Sequence, residues 1–279
     1  MKLAGVVTLY NPDKNVAQNL LSYASFLGHL YIFDNSPHSH ADIKEIVSRE
    51  TLVTYFWTGE NKGIAQCLNQ ALRLADEEGF EWLLTMDQDS RFITNLIPDY
   101  LSCIGQIPDN TYGICPIHKE ELMNGKSKID TLLSEVKICV TSGNIIKIKI
   151  AMQLGGFDEN LFIDEVDSEF CYRCNKAGYK LYKYNKLVFS HHIGKPIHKN
   201  ILGFHFTALN ESYIRQYYII RNKLYVCSKY PEFKMQYFFS TMKWMIKILL
   251  VEPDKYRKFK YALKGWKDYK NGKFGALKS

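Results

Sequence analysis

The sequence has no uncharged apolar run of about 18 residues, the length that a membrane-spanning helix needs. Nor does it open with a secretory leader. Met1-Lys2-Leu3-Ala4-Gly5-Val6-Val7 runs straight into a strand pattern and then Asn11-Pro12, so no signal peptide is expected. The seven cysteines are scattered, and Cys171 and Cys174 have no second close pair to complete a zinc site. An odd number without a disulfide framework points to a reducing compartment. No Gly-rich basic loop follows the first strand, which argues against a nucleotidyltransferase. No nucleic-acid-binding motif is present either.

The chain does have the means to build a large core. It is 46% hydrophobic and 14% aromatic over 279 residues, which excludes a disordered chain. Its charge is uneven. Residues 233–279 hold twelve Lys or Arg against Glu252, Asp254 and Asp268, an excess larger than the +7 of the whole chain. The remainder is therefore slightly acidic, and the basic tail suits an anionic membrane surface better than a nucleic acid.

One stretch organises the rest. Trp82-Leu83-Leu84-Thr85-Met86 reads as a buried parallel strand, and Asp87-Gln88-Asp89 follows it at once. Open α/β sheets bind their ligands at such strand ends. Residues i and i+2 of an extended chain project to one side. Asp87 and Asp89 can therefore share a divalent cation that also carries phosphate oxygens. The alternative is a loop that caps the next helix.

Upstream, strands are expected at 3–9, 30–33 and 51–57, with helices at 15–27 and 64–78. The alternation predicts an α/β, Rossmann-like, mainly parallel sheet flanked by helices. Asp34-Asn35 lies just past a strand, where a carboxylate can accept from a base or ribose, or simply form an Asx turn. Asn61-Lys62-Gly63 opens a helix whose N-terminus suits phosphate, although Asn serves equally well as a plain cap. Downstream, the pattern predicts a helix at 95–104, strands at 112–116, 136–140 and 145–150, and a helix from 151. Residues 117–135 read as a loop or β-ribbon. A helix is expected from about Asp164, with Asp164, Glu165, Asp167 and Glu169 crowding its first turns. The helix dipole favours acids there, and a carboxylate so held can also act as a general base. A last strand at 179–188 precedes His191, His192 and His198; His is a common metal ligand, though a lone one is usually structural. Helices at 213–229, 233–251 and 254–269 follow, the last two amphipathic. Their apolar stripes suit either packing or interfacial membrane contact.

Taken in order, these segments resemble the inverting family 2 glycosyltransferases of the GT-A fold, in their bacterial rhamnosyltransferase-like branch. The resemblance covers residues 5–222. It rests on Val7-Thr8-Leu9-Tyr10-Asn11-Pro12, Asp34-Asn35-Ser36, Asn61-Lys62-Gly63, Asp87-Gln88-Asp89, Ser142-Gly143-Asn144, Gly155-Gly156-Phe157-Asp158, Asp164 with Asp167-Ser168-Glu169-Phe170, His191-His192-Ile193-Gly194 and Tyr217 to Asn222.

The resemblance implies a catalytic domain at 1–225 and a basic helical extension at 226–279. It implies Thr8, Tyr10 and Asp34 around the base and ribose, with Asn61 and Lys62 beside the nucleotide. Asp87 and Asp89 would hold Mg²⁺ or Mn²⁺, with His191 as a further ligand, and Arg221 would help hold the diphosphate. Asp167 matches the general base, with Asp164 as runner-up. The chain reads Glu165-Val166-Asp167 where many relatives have adjacent Glu and Asp.

The activity implied is transfer of rhamnose from dTDP-rhamnose to a cell-surface glycan or polyprenyl-linked acceptor, in the cytoplasm or at the inner face of the plasma membrane. A UDP-hexose-dependent transferase and a non-catalytic sugar- or lipid-binding scaffold are the competing readings.

Overall fold

In the computed structural model, residues 2–92, 97–118, 131–191, 197–201 and 204–277 are described. The chain divides into two compact units. The first comprises residues 1–159 and 166–192, the second residues 160–165 and 193–279. Where the sequence suggested a boundary at 225/226, the units meet at 192/193, and an inner segment of six residues joins the second unit.

The first unit is built on β1 (Leu3–Leu9), β2 (His29–Asp34), β3 (Leu52–Trp57), β4 (Trp82–Asp87), β5 (Ser90–Phe92), β6 (Thr111–His118), β7 (Leu133–Val136), β8 (Asn144–Lys147) and β9 (Lys180–His191). Its strand order is β3-β2-β1-β4-β8-β6-β9-β5, with β7 added against β9. The first four strands are parallel neighbours, as are β6 and β9. Only β8, β5 and β7 oppose that direction. The expected mainly parallel α/β sheet is present.

The helices of this unit are α1 (Val16–Ala24), α2 (Asp42–Val47), α3 (Ile64–Glu77), α4 (Ile97–Ser102), α5 (Ile148–Gln153) and α6 (Val166–Lys176). In α3, Ala65, Leu68, Leu72 and Ala75 recur at helical spacing and are buried. Val7 and Leu9 of β1, Ile32 of β2 and Met86 of β4 meet Leu20 and Tyr23 of α1 in one core. Burial of β1 and β4 on both faces gives them continuous apolar runs instead of alternation.

The second unit holds β10 (Ile197–Ile201) and β11 (Phe204–Ala208), an antiparallel pair, and the helices α7 (Tyr213–Lys229), α8 (Lys234–Leu250) and α9 (Lys255–Lys270). Ser212 caps α7 by accepting from the Arg215 amide at 3.2 Å. Helices α7 and α9 approach so closely that a Cβ on Gly265 would lie 2.3 Å from the Tyr217 carbonyl oxygen. Among the described residues, no helix is long and apolar enough to cross a membrane.

Several local expectations change. The strand expected at 136–140 is instead Leu133–Val136, because its partner β9 begins at Lys180 and pairing ends at Val136–Leu181. The extension expected to run to 150 stops at Lys147, the partner of Trp82 at the start of β4, and α5 begins at Ile148. The acidic helix starts at Val166, not Asp164. Phe162, Asp164 and Glu165 have φ of 63°, 63° and 62°, left-handed values that a right-handed helix cannot include. The expected helix start at 95 and most of the 117–135 loop lie outside the described residues.

Candidate active site

The site residues foreseen from the sequence gather first at the carboxyl ends of the parallel strands. Thr8 of β1 is the register partner of Phe33 on one side and Asp87 on the other. Leu9 pairs with Asp34, and Asp34 with Trp57. Thr8, Asp34 and Asp87 thus end three neighbouring strands at the edge where such sheets bind ligands.

The turn after β4 is clamped from β1 and α1. The Tyr10 amide donates to Gln88 Oε1 at 2.8 Å, and Gln88 Nε2 donates back to the Tyr10 carbonyl at 3.1 Å. Asn19 Nδ2 donates to the Gln88 carbonyl at 3.0 Å. The middle residue of Asp87-Gln88-Asp89 therefore holds the turn, while the carboxylates on either side stay partly exposed. The Tyr10 ring is half exposed.

A loop braces the strand end from the other side. The Asp87 amide donates to Ser142 Oγ at 2.8 Å, and the Gly143 amide to the Thr85 carbonyl at 2.8 Å. Gly143 has a φ of 80°, which favours glycine there. Tyr100, fully buried, donates its hydroxyl to the Gly143 carbonyl at 2.9 Å. Tyr23 was not foreseen. Its buried hydroxyl has no partner among the described residues, and burial, with the Asp87 charge, pushes its phenol far above the ordinary value. It remains a neutral O–H near Asp87.

The register then brings the backbone of His191 beside Ser90, the residue after Asp89. His192 and Gly194 lie outside the described residues. Among the described residues, no three His, Cys, Asp or Glu side chains converge on one point. Two part-exposed carboxylates fit a magnesium-like ion, which takes one or two of them and completes its shell with substrate phosphates and water.

Asp34 is buried and forms the Asx turn weighed from the sequence. Its Oδ1 accepts from the Ser36 amide at 2.9 Å. Its Oδ2 accepts from the Tyr55 hydroxyl at 2.6 Å and the His40 amide at 3.0 Å, and lies 2.9 Å from His40 Nδ1. Burial pushes this carboxyl up, but the hydrogen bonds from Ser36, Tyr55 and His40 outweigh it and hold the group below its ordinary value. Next to it, Asn35 Oδ1 accepts from the Lys62 amide at 3.2 Å. Asn61 Oδ1 accepts from the Gly63 amide at 2.9 Å, an Asx turn ahead of α3 and not the expected cap, since Gly63 itself is the N-cap, while the Lys62 ammonium pairs with Glu60.

Asp167 belongs to a second feature of the same unit. It sits in the first turn of α6, where its Oδ1 accepts from the Ser168 amide at 2.8 Å. It lines a cavity of about 200 Å³ together with Cys115, Pro116, Cys139, Ser168 and Lys183. Ile138 and Val140 also line it. The loop that borders this cavity therefore continues directly into the Thr141–Asn144 brace of β4. Glu169 is buried and accepts from Arg173 Nε at 3.2 Å and Nη2 at 2.8 Å. The same guanidinium donates to the Gly156 carbonyl at 2.6 Å, tying the Gly155-Gly156 turn to α6. Gly156 has a φ of 70°, and a Cβ there would lie 2.3 Å from Asn69 Oδ1.

Asp164 is placed differently. Within the second unit it accepts from Arg215 Nε at 3.2 Å and Nη2 at 3.0 Å. Glu165 accepts from the Tyr237 hydroxyl at 2.6 Å. Asn222 Nδ2 donates to the carbonyls of Leu161 (2.7 Å), Ile163 (2.6 Å) and Asp164 (3.1 Å).

Arg221, expected on the donor diphosphate, is fully buried. Its Nε donates to Asn222 Oδ1, its Nη1 to the Tyr217 hydroxyl and the Gly275 carbonyl, and its Nη2 to the carbonyls of Asn160 and Leu161. A guanidinium has five N–H groups, so this network leaves none for a phosphate, and the structure corrects that expectation. His198 is exposed, and its Nδ1 lies 3.0 Å from Thr207 Oγ1 across the β10–β11 pair, an ordinary structural role.

Comparison with known proteins matches this geometry. The family model described as Glycosyl transferase family 2 fits residues 6–157. The chain is 28% identical over 243 residues to the dTDP-rhamnosyl transferase RfbF of Shigella flexneri, covering 80% of this chain and 79% of that protein. A crystal structure of GalNAc-T7 with UDP, GalNAc and Mn²⁺ superposes with a TM-score of 0.59 at 13% identity over 82% of this chain, which spans about half (48%) of that one. The mannosyltransferase PcManGT from Pyrobaculum calidifontis, in complex with GDP-Man and Mn²⁺, gives 0.59 at 14% identity, covering 99% of this chain and 76% of that one. At these identities the structural likeness establishes the GT-A fold. With the family model covering more than half of the sequence, the chain belongs to glycosyl transferase family 2 and is a glycosyltransferase.

Proposed function

We propose that this glycosyltransferase moves rhamnose from dTDP-rhamnose to a hydroxyl of a cell-surface glycan or lipid-linked acceptor, with inversion at the anomeric carbon. The observation that carries the transfer reading is the alignment of Thr8, Asp34 and Asp87 at the carboxyl ends of adjacent parallel strands. The choice of rhamnose is supported by the similarity to the Shigella flexneri dTDP-rhamnosyl transferase.

In this reading residues 1–225 form the catalytic domain. Thr8 and Tyr10 border the base and ribose, and Asp34 shapes that pocket through the loop it anchors. Asn61 and Lys62 lie beside the nucleotide. Asp87 and Asp89, with His191, would hold Mg²⁺ or Mn²⁺, which would supply Lewis-acid stabilisation of the charge on the departing diphosphate. Asp167 accepts the proton of the acceptor hydroxyl. The acceptor oxygen bonds to the anomeric carbon as the bond to the nucleoside diphosphate breaks, and attack from the opposite face inverts the centre. Asp164, engaged by Arg215, is the runner-up for that role.

Calorimetric titration of dTDP, UDP and GDP, each with and without Mn²⁺, tests this. Metal-dependent binding of dTDP in preference to the others is expected. A preference for UDP would keep the chemistry and replace the donor. Binding of none would favour the non-catalytic scaffold.

A further inference from the structure

Helix α8 is apolar on two opposite faces. Tyr237 and Ile248 are buried on one of them. On the other, Met235, Phe238, Phe239, Met242, Ile246 and Leu249 are each 44 to 62% exposed. At 100° per residue these six fall within an arc of about 100°, roughly opposite the buried pair. The Phe238 and Phe239 rings lie edge to face, 5.6 Å between centroids. An unbroken apolar stripe along a helix needs a cover, because isolated exposed apolar residues are common but contiguous ones are not.

The charge of the two last helices says what covers it. Lys243 and Lys247 are exposed on the same helix, and Lys260 and Lys267 on α9, which also exposes Tyr256 and Leu263. The tail's basic excess, larger than the +7 of the whole chain, would repel a second copy of itself and attracts an anionic surface. At about 1.5 Å per residue, α8 is roughly 25 Å long, and it carries lysines, so it lies along a bilayer and does not span it.

We propose that α8 is an interfacial anchor. Its stripe of Met235, Phe238, Phe239, Met242, Ile246 and Leu249 inserts into the headgroup region of an anionic phospholipid bilayer, and the lysines of α8 and α9 pair with the lipid phosphates. The sequence offered this contact to the C-terminal helices without saying which of them inserts. The structure makes α8 the inserting element and leaves α9 the electrostatic part. The inference stands apart from the donor reading, since lipid binding needs no nucleotide.

The test is sedimentation of the full chain with vesicles of phosphatidylglycerol and phosphatidylethanolamine, and with vesicles of phosphatidylcholine alone. Wild type is expected to partition on the anionic vesicles at least about tenfold more strongly. The double variant Phe238→Ser/Leu249→Ser should lose about tenfold of that binding, with an unchanged circular dichroism spectrum. The quadruple variant Lys243→Gln/Lys247→Gln/Lys260→Gln/Lys267→Gln should lose the preference for anionic lipid.

Wild-type-like binding by the Ser variant would overturn the proposal. So would a wild-type dimer in light scattering that this variant converts to monomer, because the stripe would then belong to a second copy. Nucleotide calorimetry on the Ser variant should match wild type, which separates failure here from failure of the donor reading.

Discussion

Asp164 and Asp167 are three positions apart in the chain and have opposite surroundings. Asp164 stands in a left-handed backbone stretch of the second unit, engaged by the Arg215 guanidinium and fixed through its carbonyl by Asn222. Asp167 opens a right-handed helix of the first unit and lines a cavity beside the loop that braces β4. Two acids that look interchangeable in an acidic cluster lie on either side of a backbone switch, from the left-handed φ of Asp164 and Glu165 to the right-handed helix that starts at Val166. Both oxygens of the Asp164 carboxylate are engaged by the Arg215 guanidinium. A carboxylate on a cavity wall can meet a substrate hydroxyl.

The sharpest way to break this comparison is to neutralise each acid in turn. Asp167→Asn should lower kcat by about 10²–10⁴-fold, the usual worth of a general base, with dTDP affinity near wild type in calorimetry. If Asp164→Asn alone abolishes turnover in a folded protein, the roles are reversed.

Next comes Asp89→Asn. It should remove the Mn²⁺ dependence of nucleotide binding while leaving the thermal unfolding midpoint close to wild type. Equal binding with and without metal in the wild type would sink the metal assignment.

Arg221→Leu then asks whether the Asp164 segment is held structurally. Loss of its buried bonds to the Asn160, Leu161 and Gly275 carbonyls should cost about 3 kcal/mol in denaturant unfolding. A raised donor KM at unchanged stability would return Arg221 to the diphosphate.

Asp34→Asn should cost about 2 kcal/mol at neutral pH, the worth of hydrogen bonds to a charged acceptor. The native carboxyl of Asp34 is held below its ordinary value, so its stabilisation is complete above about pH 4 and is lost as pH falls through the lower folded value. The variant should lack that slope in acid unfolding curves.

The smallest effect is expected of Arg215→Ala. Its pair with Asp164 is well exposed on the arginine side, so less than about 1 kcal/mol of stability should be lost.

Much of the fold was legible in the sequence because its signals are local. β1 at Leu3–Leu9 and α7 at Tyr213–Lys229 were read to the residue from apolar runs and helical spacing. Short elements were missed for want of length, the three-residue strand β5 among them. Helix α2 has six residues, too few for a period to register, and the β10–β11 pair has strands of five. The turn of β8 into α5 was misjudged because Ile146, Ile148 and Ile150 alternate with Lys147 and Lys149, a pattern that reads as a continuing strand. Where β4 begins decides where the pairing stops.

The candidate site divides in the same way. The residue types and their order along the chain pointed to Asp87, Asp89 and Asp167, because charge that closely follows an apolar strand or opens a helix is visible without tertiary contacts. The partners were not visible. Nothing in the spacing of Tyr55 and His40 announces that both bind Asp34, or that Gln88 is held by the backbone of Tyr10 across 78 positions.

The sequence by itself determined the family, the α/β alternation, the acidic clusters and the basic tail, since each is written in composition, periodicity and short motifs. Only the tertiary structure decided that Asp167 lines a cavity while Asp164 is engaged by Arg215, that Arg221 is enclosed by backbone carbonyls, and that α8 turns an apolar face outward. These depend on left-handed residues, on the acceptors that surround a buried guanidinium and on which face of a helix finds a neighbour, and each arises only when distant segments meet.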